Sequence, residues 1–124
     1  MRIAIYGSRR QEEAAPTVAV FLDELRRRSV DIVMHRKLYR HLFEIIPQAL
    51  AAVGTVTDNS GFEADLAVSL GGDGTFLRTA MWVGQKEIPI VGVNTGHLGY
   101  LTSITVAELP LLLDYLASDH FRIE

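Results

Sequence analysis

The residues best suited to chemistry form one short glycine-rich segment, Leu70-Gly71-Gly72-Asp73-Gly74-Thr75. An apolar stretch precedes it, and residues with helical periodicity follow it, from Thr75 to Val83. Glycines permit unusual backbone angles and the close approach of a ligand. The free N–H groups at the start of a helix favour phosphate oxygens, and Thr75 is of a type that caps helices. This pattern favours a ligand-binding loop over its alternative, a tight strand-to-helix turn capped by Asp73.

Asp73 is the only acid of this segment. A carboxylate near a helix N-terminus is stabilised as the anion, yet it repels a bound phosphate. Both facts fit if Asp73 faces an acceptor hydroxyl while the glycines face the donor phosphates, as in kinases. Because a free aspartate is a weak base, we expect Asp73 to orient the hydroxyl, with proton transfer occurring late.

A second segment, Gly92 to Thr102, follows the next apolar run. Since both segments come after strands, we expect them at the same edge of one sheet. Asn94 offers a donor and an acceptor, and Tyr100 could stack on a base or a ribose. An ordinary glycine-rich loop with Tyr100 packed in the core explains this segment equally well.

Strands and helices alternate along the chain, which predicts an α/β fold with a mainly parallel sheet. The four predicted strands are Arg2–Tyr6, Val30–Met34, Asp65–Leu70 and Ile88–Val93. The last two are separated by enough residues for a crossover helix, so they can lie parallel. We expect that helix to end at Gly84.

Two more apolar stripes predict helices in the first half of the chain. Pro16 suits the first turn of the first helix, and Pro47 predicts a break near Ile46 in the second. The stripes consist of Val18, Phe21, Leu22 and Leu25, and of Leu38, Leu42, Ile45, Ile46 and Ala49.

Two further segments carry weaker signals. The turn-rich segment from Thr55 to Gly61 is expected to be mobile. The capping-box spacing of Thr105 and Glu108 predicts a last helix, whose apolar face would contain Leu109, Leu112, Leu113 and Leu116.

Composition narrows the class of protein. The 124 residues, 48% of them hydrophobic, suit one domain with its own core. A net charge of −3 argues against a general nucleic-acid partner. The chain has no cysteine, which excludes disulfides and thiolate metal sites, and its four histidines show no metal-ligand spacing. No apolar window is long enough for a membrane span, so we expect a soluble, cytoplasmic protein.

Together, Leu70–Leu77 and Gly92–Leu101 resemble the two signature segments of NAD kinases. Diacylglycerol, sphingosine and phosphofructo-kinase relatives share the first segment, whereas the second is not typical of them. The resemblance covers most of the chain, and implies a Rossmann-like three-layer domain that forms the N-terminal half of a two-domain kinase. Residues 1–124 would be that domain. The β-rich C-terminal domain, with the Asn-acid pair that binds the NAD ribose, lies outside this chain, which is therefore expected to be inactive alone.

The resemblance also implies an activity and a set of site residues. Such enzymes transfer a phosphoryl group from ATP or polyphosphate, with a divalent cation such as Mg²⁺, to the 2′-hydroxyl of the NAD adenosine ribose. They form dimers or tetramers, and their binding partners are small-molecule nucleotides. Asp73 matches the catalytic acid at this hydroxyl. The resemblance and the loop chemistry together predict NAD-binding residues Asp73, Gly74, Arg78, Asn94 and Tyr100, and phosphate-binding residues Gly71, Gly72 and Thr75.

Two alternatives stay open at the level of sequence. A lipid kinase of the diacylglycerol type would need a basic and apolar membrane-facing surface, which the sequence does not show. A non-catalytic nucleotide-binding module would be favoured by loss of Asp73 or by interruption of the glycines, and both are intact.

Overall fold

The structure, a computed structural model, describes residues 1–7, 15–94, 103–105, 111 and 114, without the side chains of residues 17, 73, 94 and 103–105. Its helices are α1 (Ala15–Arg27), α2 (Arg36–Ile45), a 3₁₀ helix (Pro47–Ala52) and α3 (Asp73–Val83). Its strands are β1 (Arg2–Gly7), β2 (Asp31–His35), β3 (Val53–Thr57), β4 (Leu66–Leu70), β5 (Ile90–Asn94) and β6 (Ser103–Thr105).

The six strands form one sheet in the order β3-β2-β1-β4-β5-β6. Every pair of neighbours is parallel. This is the strand order of the doubly wound Rossmann fold, which reverses direction between β1 and β4. The mainly parallel α/β sheet predicted from the sequence is thereby confirmed.

Residues alternate along the strands between two hydrophobic cores, one on each face of the sheet. On β1, Ile3 and Ile5 join the core that α1 and α2 cover, whereas Ala4 and Tyr6 join the core under α3. Helices therefore cover both faces, and the domain has the expected three layers.

Local sequence explains the helix limits. The apolar stripe predicted for α1 is fully buried, and Pro16 occupies the second position of this helix, where a missing N–H does no harm. The helix α2 ends at Ile45, because Pro47 cannot continue it, and a 3₁₀ helix starts there instead. The predicted break near Ile46 is confirmed. The helix α3 ends at Val83 and is capped by the predicted Gly84, whose φ of 68° suits glycine.

Three local predictions need correction. Val53–Thr57 forms the edge strand β3, paired in parallel with β2, so the segment predicted as a mobile turn from Thr55 starts inside a strand. Ser103–Thr105 forms the sixth strand, which the sequence did not predict. Thr75 does not cap α3, because the helix begins two residues earlier and Gly72 takes the capping position. The predicted last helix lies almost wholly outside the described residues.

Candidate active site

The carboxyl ends of β1, β4 and β5 lie level with one another. Gly7 pairs with Leu70, and Leu70 pairs with Val93. The glycine-rich segment therefore leaves the sheet beside the end of β5, where Asn94 is the last residue. The expectation that both segments share one sheet edge is confirmed for the backbones of Leu70–Thr75 and of Gly92–Asn94, the part of the second segment that the structure describes. This edge includes the point between β1 and β4 where the strand order reverses, which is where open α/β sheets bind ligands.

We call the turn Gly71–Asp73, which joins β4 to α3, the glycine turn. Its first residue, Gly71, needs to be glycine. Its φ is 151°, a conformation that L side chains rarely adopt. A methyl group here would lie 2.7 Å from Thr75 Oγ1, well inside van der Waals contact. Gly72 has an ordinary extended φ of −97°, and a methyl group at Gly74 would have nothing within 4 Å. Sequence alone did not distinguish these three glycines.

The first backbone N–H groups of α3 take no part in the hydrogen bonds of the helix itself. No side chain among the described residues caps it. The first hydrogen bond of the helix runs from Phe76 N to Gly72 O, at 2.9 Å. The N–H groups of Asp73, Gly74 and Thr75 precede this bond, so they have no acceptor within the helix. They open at the carboxyl edge of β4 and can receive the oxygens of an anion.

The helix α3 presents one face to the sheet and another to solvent. Its buried positions are Thr75, Thr79, Trp82 and Val83. Gly74 and Arg78 are both exposed, and because they lie four residues apart, they share one face. Leu77 and Met81 lie on this same face and are 65% and 78% exposed. The exposed apolar pair beside Arg78 was missed from the sequence, although the spacing of residues 74, 77, 78 and 81 contains it.

An aromatic cluster lies beside this edge, at the ends of β1 and β2. The ring centroid of His35 lies 4.6 Å from that of Tyr6 and 5.1 Å from that of Trp82, and both ring pairs meet edge to face. His35 Nδ1 accepts the N–H of Lys37 at 3.1 Å, which caps α2. Burial, and secondarily the charge of Lys37, lowers the pKa of His35. The ring therefore stays neutral and keeps its acceptor nitrogen at neutral pH.

Several predicted site features cannot be placed. Tyr100 and the side chains of Asp73 and Asn94 lie outside the described residues. Within the described part, no three His, Asp or Glu side chains form a group that could hold a metal ion. None of the helices in that part is long and apolar enough to cross a membrane.

Comparison with known proteins gives a consistent result. The chain is 33% identical, over all of its length, to the NAD kinase of Bacteroides fragilis, and 35% identical, over 99% of its length, to that of Porphyromonas gingivalis. It spans 42% of the length of each of these relatives. Its fold is similar to the crystal structure of yeast NADH kinase complexed with NADH, with a TM-score of 0.72, at 18% identity. That similarity covers 95% of this chain and 38% of the kinase. The model of the ATP-NAD kinase N-terminal domain family matches residues 3–121, and the chain belongs to this family.

Proposed function

We propose that this chain is the nucleotide-binding half of an NAD kinase, which transfers the terminal phosphoryl group of ATP or polyphosphate to the 2′-hydroxyl of the NAD adenosine ribose. The observation that carries the proposal is the glycine turn at Gly71–Asp73, which joins β4 to the uncapped N-terminus of α3 beside the reversal of strand order. The family assignment favours this activity over that of a lipid kinase.

The donor phosphates would lie against the glycine turn. The backbone N–H groups of the first turn of α3 supply donors that already point at this edge. Gly71 and Gly72 let the backbone come close to the phosphate oxygens. The divalent cation would arrive bound to the donor phosphates, where it neutralises charge that develops during transfer.

The acceptor would lie on the exposed side of α3. Gly74 leaves open space one turn before Arg78, whose side chain is free to reach an anionic or polar part of NAD. Asp73, at the first position of α3, would contact the 2′-hydroxyl and orient it toward the donor. Asn94 and Tyr100 would hold the ribose and adenine from the end of β5.

The chain supplies one wall of this site. Phosphoryl transfer depends on holding donor and acceptor in line. The described residues of the candidate site lie on one edge of the sheet only. Since the chain spans 42% of the length of its NAD kinase relatives, the opposite wall would come from the remainder of such a protein, a β-rich C-terminal domain. Assembly into dimers or tetramers would likewise belong to the whole enzyme.

The test of catalysis is Asp73→Asn in a full-length enzyme that carries this domain, assayed for NADP formation with NAD, ATP and magnesium. We expect a loss on the order of 10²–10⁴-fold in rate, with an unchanged melting temperature. The matched control is Glu63→Gln, which removes one carboxylate from the pocket that Arg2 and Asp31 line at the amino edge of the sheet. A near wild-type rate for Asp73→Asn would exclude this residue from the mechanism.

The test of the one-wall argument uses the 124-residue chain itself. We expect well-dispersed amide resonances, nucleotide-induced shifts confined to the neighbourhoods of Asp73 and Tyr100, and no NADP formation. Turnover comparable to that of an intact NAD kinase would refute the need for a second wall. A collapsed amide spectrum would instead refute independent folding.

A further inference from the structure

We propose that Thr75 is a positioning residue, whose side chain packs against Gly71 and thereby holds the glycine turn in its binding shape. Its hydroxyl is then not a phosphate ligand. This inference rests on the proposed function for its meaning, but its packing component can be tested without any nucleotide.

Thr75 and Gly71 lie in direct contact across the turn. Thr75 is buried, with 6% of its surface exposed. A methyl group at Gly71 would lie 2.7 Å from Thr75 Oγ1, 3.0 Å from its Cβ and 3.2 Å from its Cγ2. All three side-chain atoms of Thr75 therefore lie on the side of Gly71 from which a side chain would project, and they fill the space that a Cβ would need. The contact spans the turn, because Gly71 precedes α3 and Thr75 is the third residue of the helix.

Thr75 is itself held in place by the next turn of α3. Its carbonyl oxygen accepts the hydroxyl of Thr79 at 2.8 Å, and Thr79 is fully buried. The two threonines lie one turn apart on the face of α3 that meets the sheet. Branching at Cβ further restricts the rotamers of the Thr75 side chain. The surface that Gly71 meets is therefore rigid, and it limits the conformations available to the turn.

Two substitutions at position 75 separate the contribution of side-chain shape from that of hydrogen bonding. Valine keeps the branched shape of threonine and removes the hydroxyl. Serine keeps the hydroxyl and removes the methyl group. If packing is the function of Thr75, Thr75→Val retains the turn and Thr75→Ser loosens it. If the hydroxyl binds phosphate, the order is reversed.

The experiment measures the amide shifts of Gly71 and Gly72 in the 124-residue chain and its affinity for ATP by calorimetry. We expect Thr75→Val to keep both close to wild type. We expect Thr75→Ser to shift both amides and to weaken ATP binding by roughly 2- to 10-fold, the fold-change that results if the whole stability cost of one lost buried methyl group falls on the ATP-binding shape of the turn. Thr79→Ser is the matched control, because it removes the same methyl group one turn away, where we expect similar destabilisation and unchanged Gly71 and Gly72 amides.

The outcomes are distinguishable. A loss of ATP affinity in Thr75→Val, with unmoved amides and normal binding by Thr75→Ser, would overturn the proposal and make the hydroxyl a ligand. If the wild-type chain does not bind ATP, the phosphate site of the proposed function fails, while the amide shifts still test the packing. If Thr75→Ser alone unfolds and Thr75→Val does not, the packing role is supported by stability. Unmoved Gly71 and Gly72 amides in a folded Thr75→Ser would overturn it.

Discussion

Replacing Gly71 by alanine should weaken the fold far more than the same change at Gly74. Two costs coincide at Gly71. An alanine at a φ of 151° is strained, at about 1–3 kcal/mol for such backbone conformations. Its methyl group would also lie 2.7 Å from Thr75 Oγ1, and overpacking of this kind typically costs about 1–3 kcal/mol. We therefore expect Gly71→Ala to lower the free energy of unfolding by about 2–6 kcal/mol.

This loss is large enough to measure and, over most of its range, is smaller than the stability of the domain. A domain of 124 residues has a free energy of unfolding on the order of 6–19 kcal/mol, at about 0.05–0.15 kcal/mol per residue. Urea denaturation followed by circular dichroism should show a lower midpoint at an unchanged slope. Gly74→Ala is the matched control, because its methyl group meets no atom within 4 Å. Alanine favours a helix over glycine by up to about 1 kcal/mol, so this variant should be as stable as wild type or more so.

The same urea midpoint for Gly71→Ala and Gly74→Ala would refute the special constraint on Gly71. In that case the turn would move away from Thr75 at little cost, and Gly71 would be no more constrained than its neighbours. Within the glycine-rich segment, Gly71 is the one glycine whose backbone conformation requires the absence of a side chain. A requirement at Gly74 would then reflect the approach of NAD and would show in affinity rather than in stability.

Two further predictions concern the aromatic cluster. Because the pKa of His35 is lowered in the folded chain, the unfolded chain binds the proton more readily, and stability should fall as the pH drops below about 6.5, the ordinary histidine value. Urea midpoints measured from pH 7.5 to 5 should show this fall in stability. The variant His35→Asn, which keeps a capping side chain, should reduce the dependence of stability on pH. An equally steep dependence in that variant would assign the effect to other groups. Trp82→Ala should lower the free energy of unfolding by about 3–5 kcal/mol, because Trp82 is 6% exposed, donates to Asn59 O at 3.1 Å and contacts Phe62. The exposed apolar control Val20→Gln should change it by less than about 0.5 kcal/mol, and equal effects of the two changes would contradict the burial argument.

The central strands could be predicted from sequence because they are continuous apolar runs that are buried on both faces of the sheet. The helices could be predicted because their burial follows a local period. The stripe at Val18, Phe21, Leu22 and Leu25 matches one helix face, and all four side chains are fully buried. The edge strand Val53–Thr57 lacks such a signal, because two of its five residues are exposed and none is fully buried. It forms through pairing with β2, which an examination of residues 53–57 alone does not show.

The candidate site was predictable in position and less so in detail. Three glycines around one acid after an apolar run indicate a strand-to-helix turn, and the parallel sheet then brings that turn level with the end of β5. Which glycine has a positive φ depends on how the turn meets Thr75, four residues later. That contact needs coordinates, as does the finding that Thr75 packs inward rather than capping the helix.

The position of β1 determines how this protein can be attached to a surface. Met1 enters the middle of the sheet at its amino edge, where its carbonyl accepts the N–H of Asp31 at 3.0 Å. The six residues of β1 separate this edge from the glycine turn by roughly 20 Å, at about 3.3 Å per residue. Because Met1 is 46% exposed, a tag joined there can extend into solvent. Immobilised by such a tag, the chain would turn the edge that carries the proposed phosphate site toward the flowing solution, which suits it to surface-based measurement of nucleotide affinity.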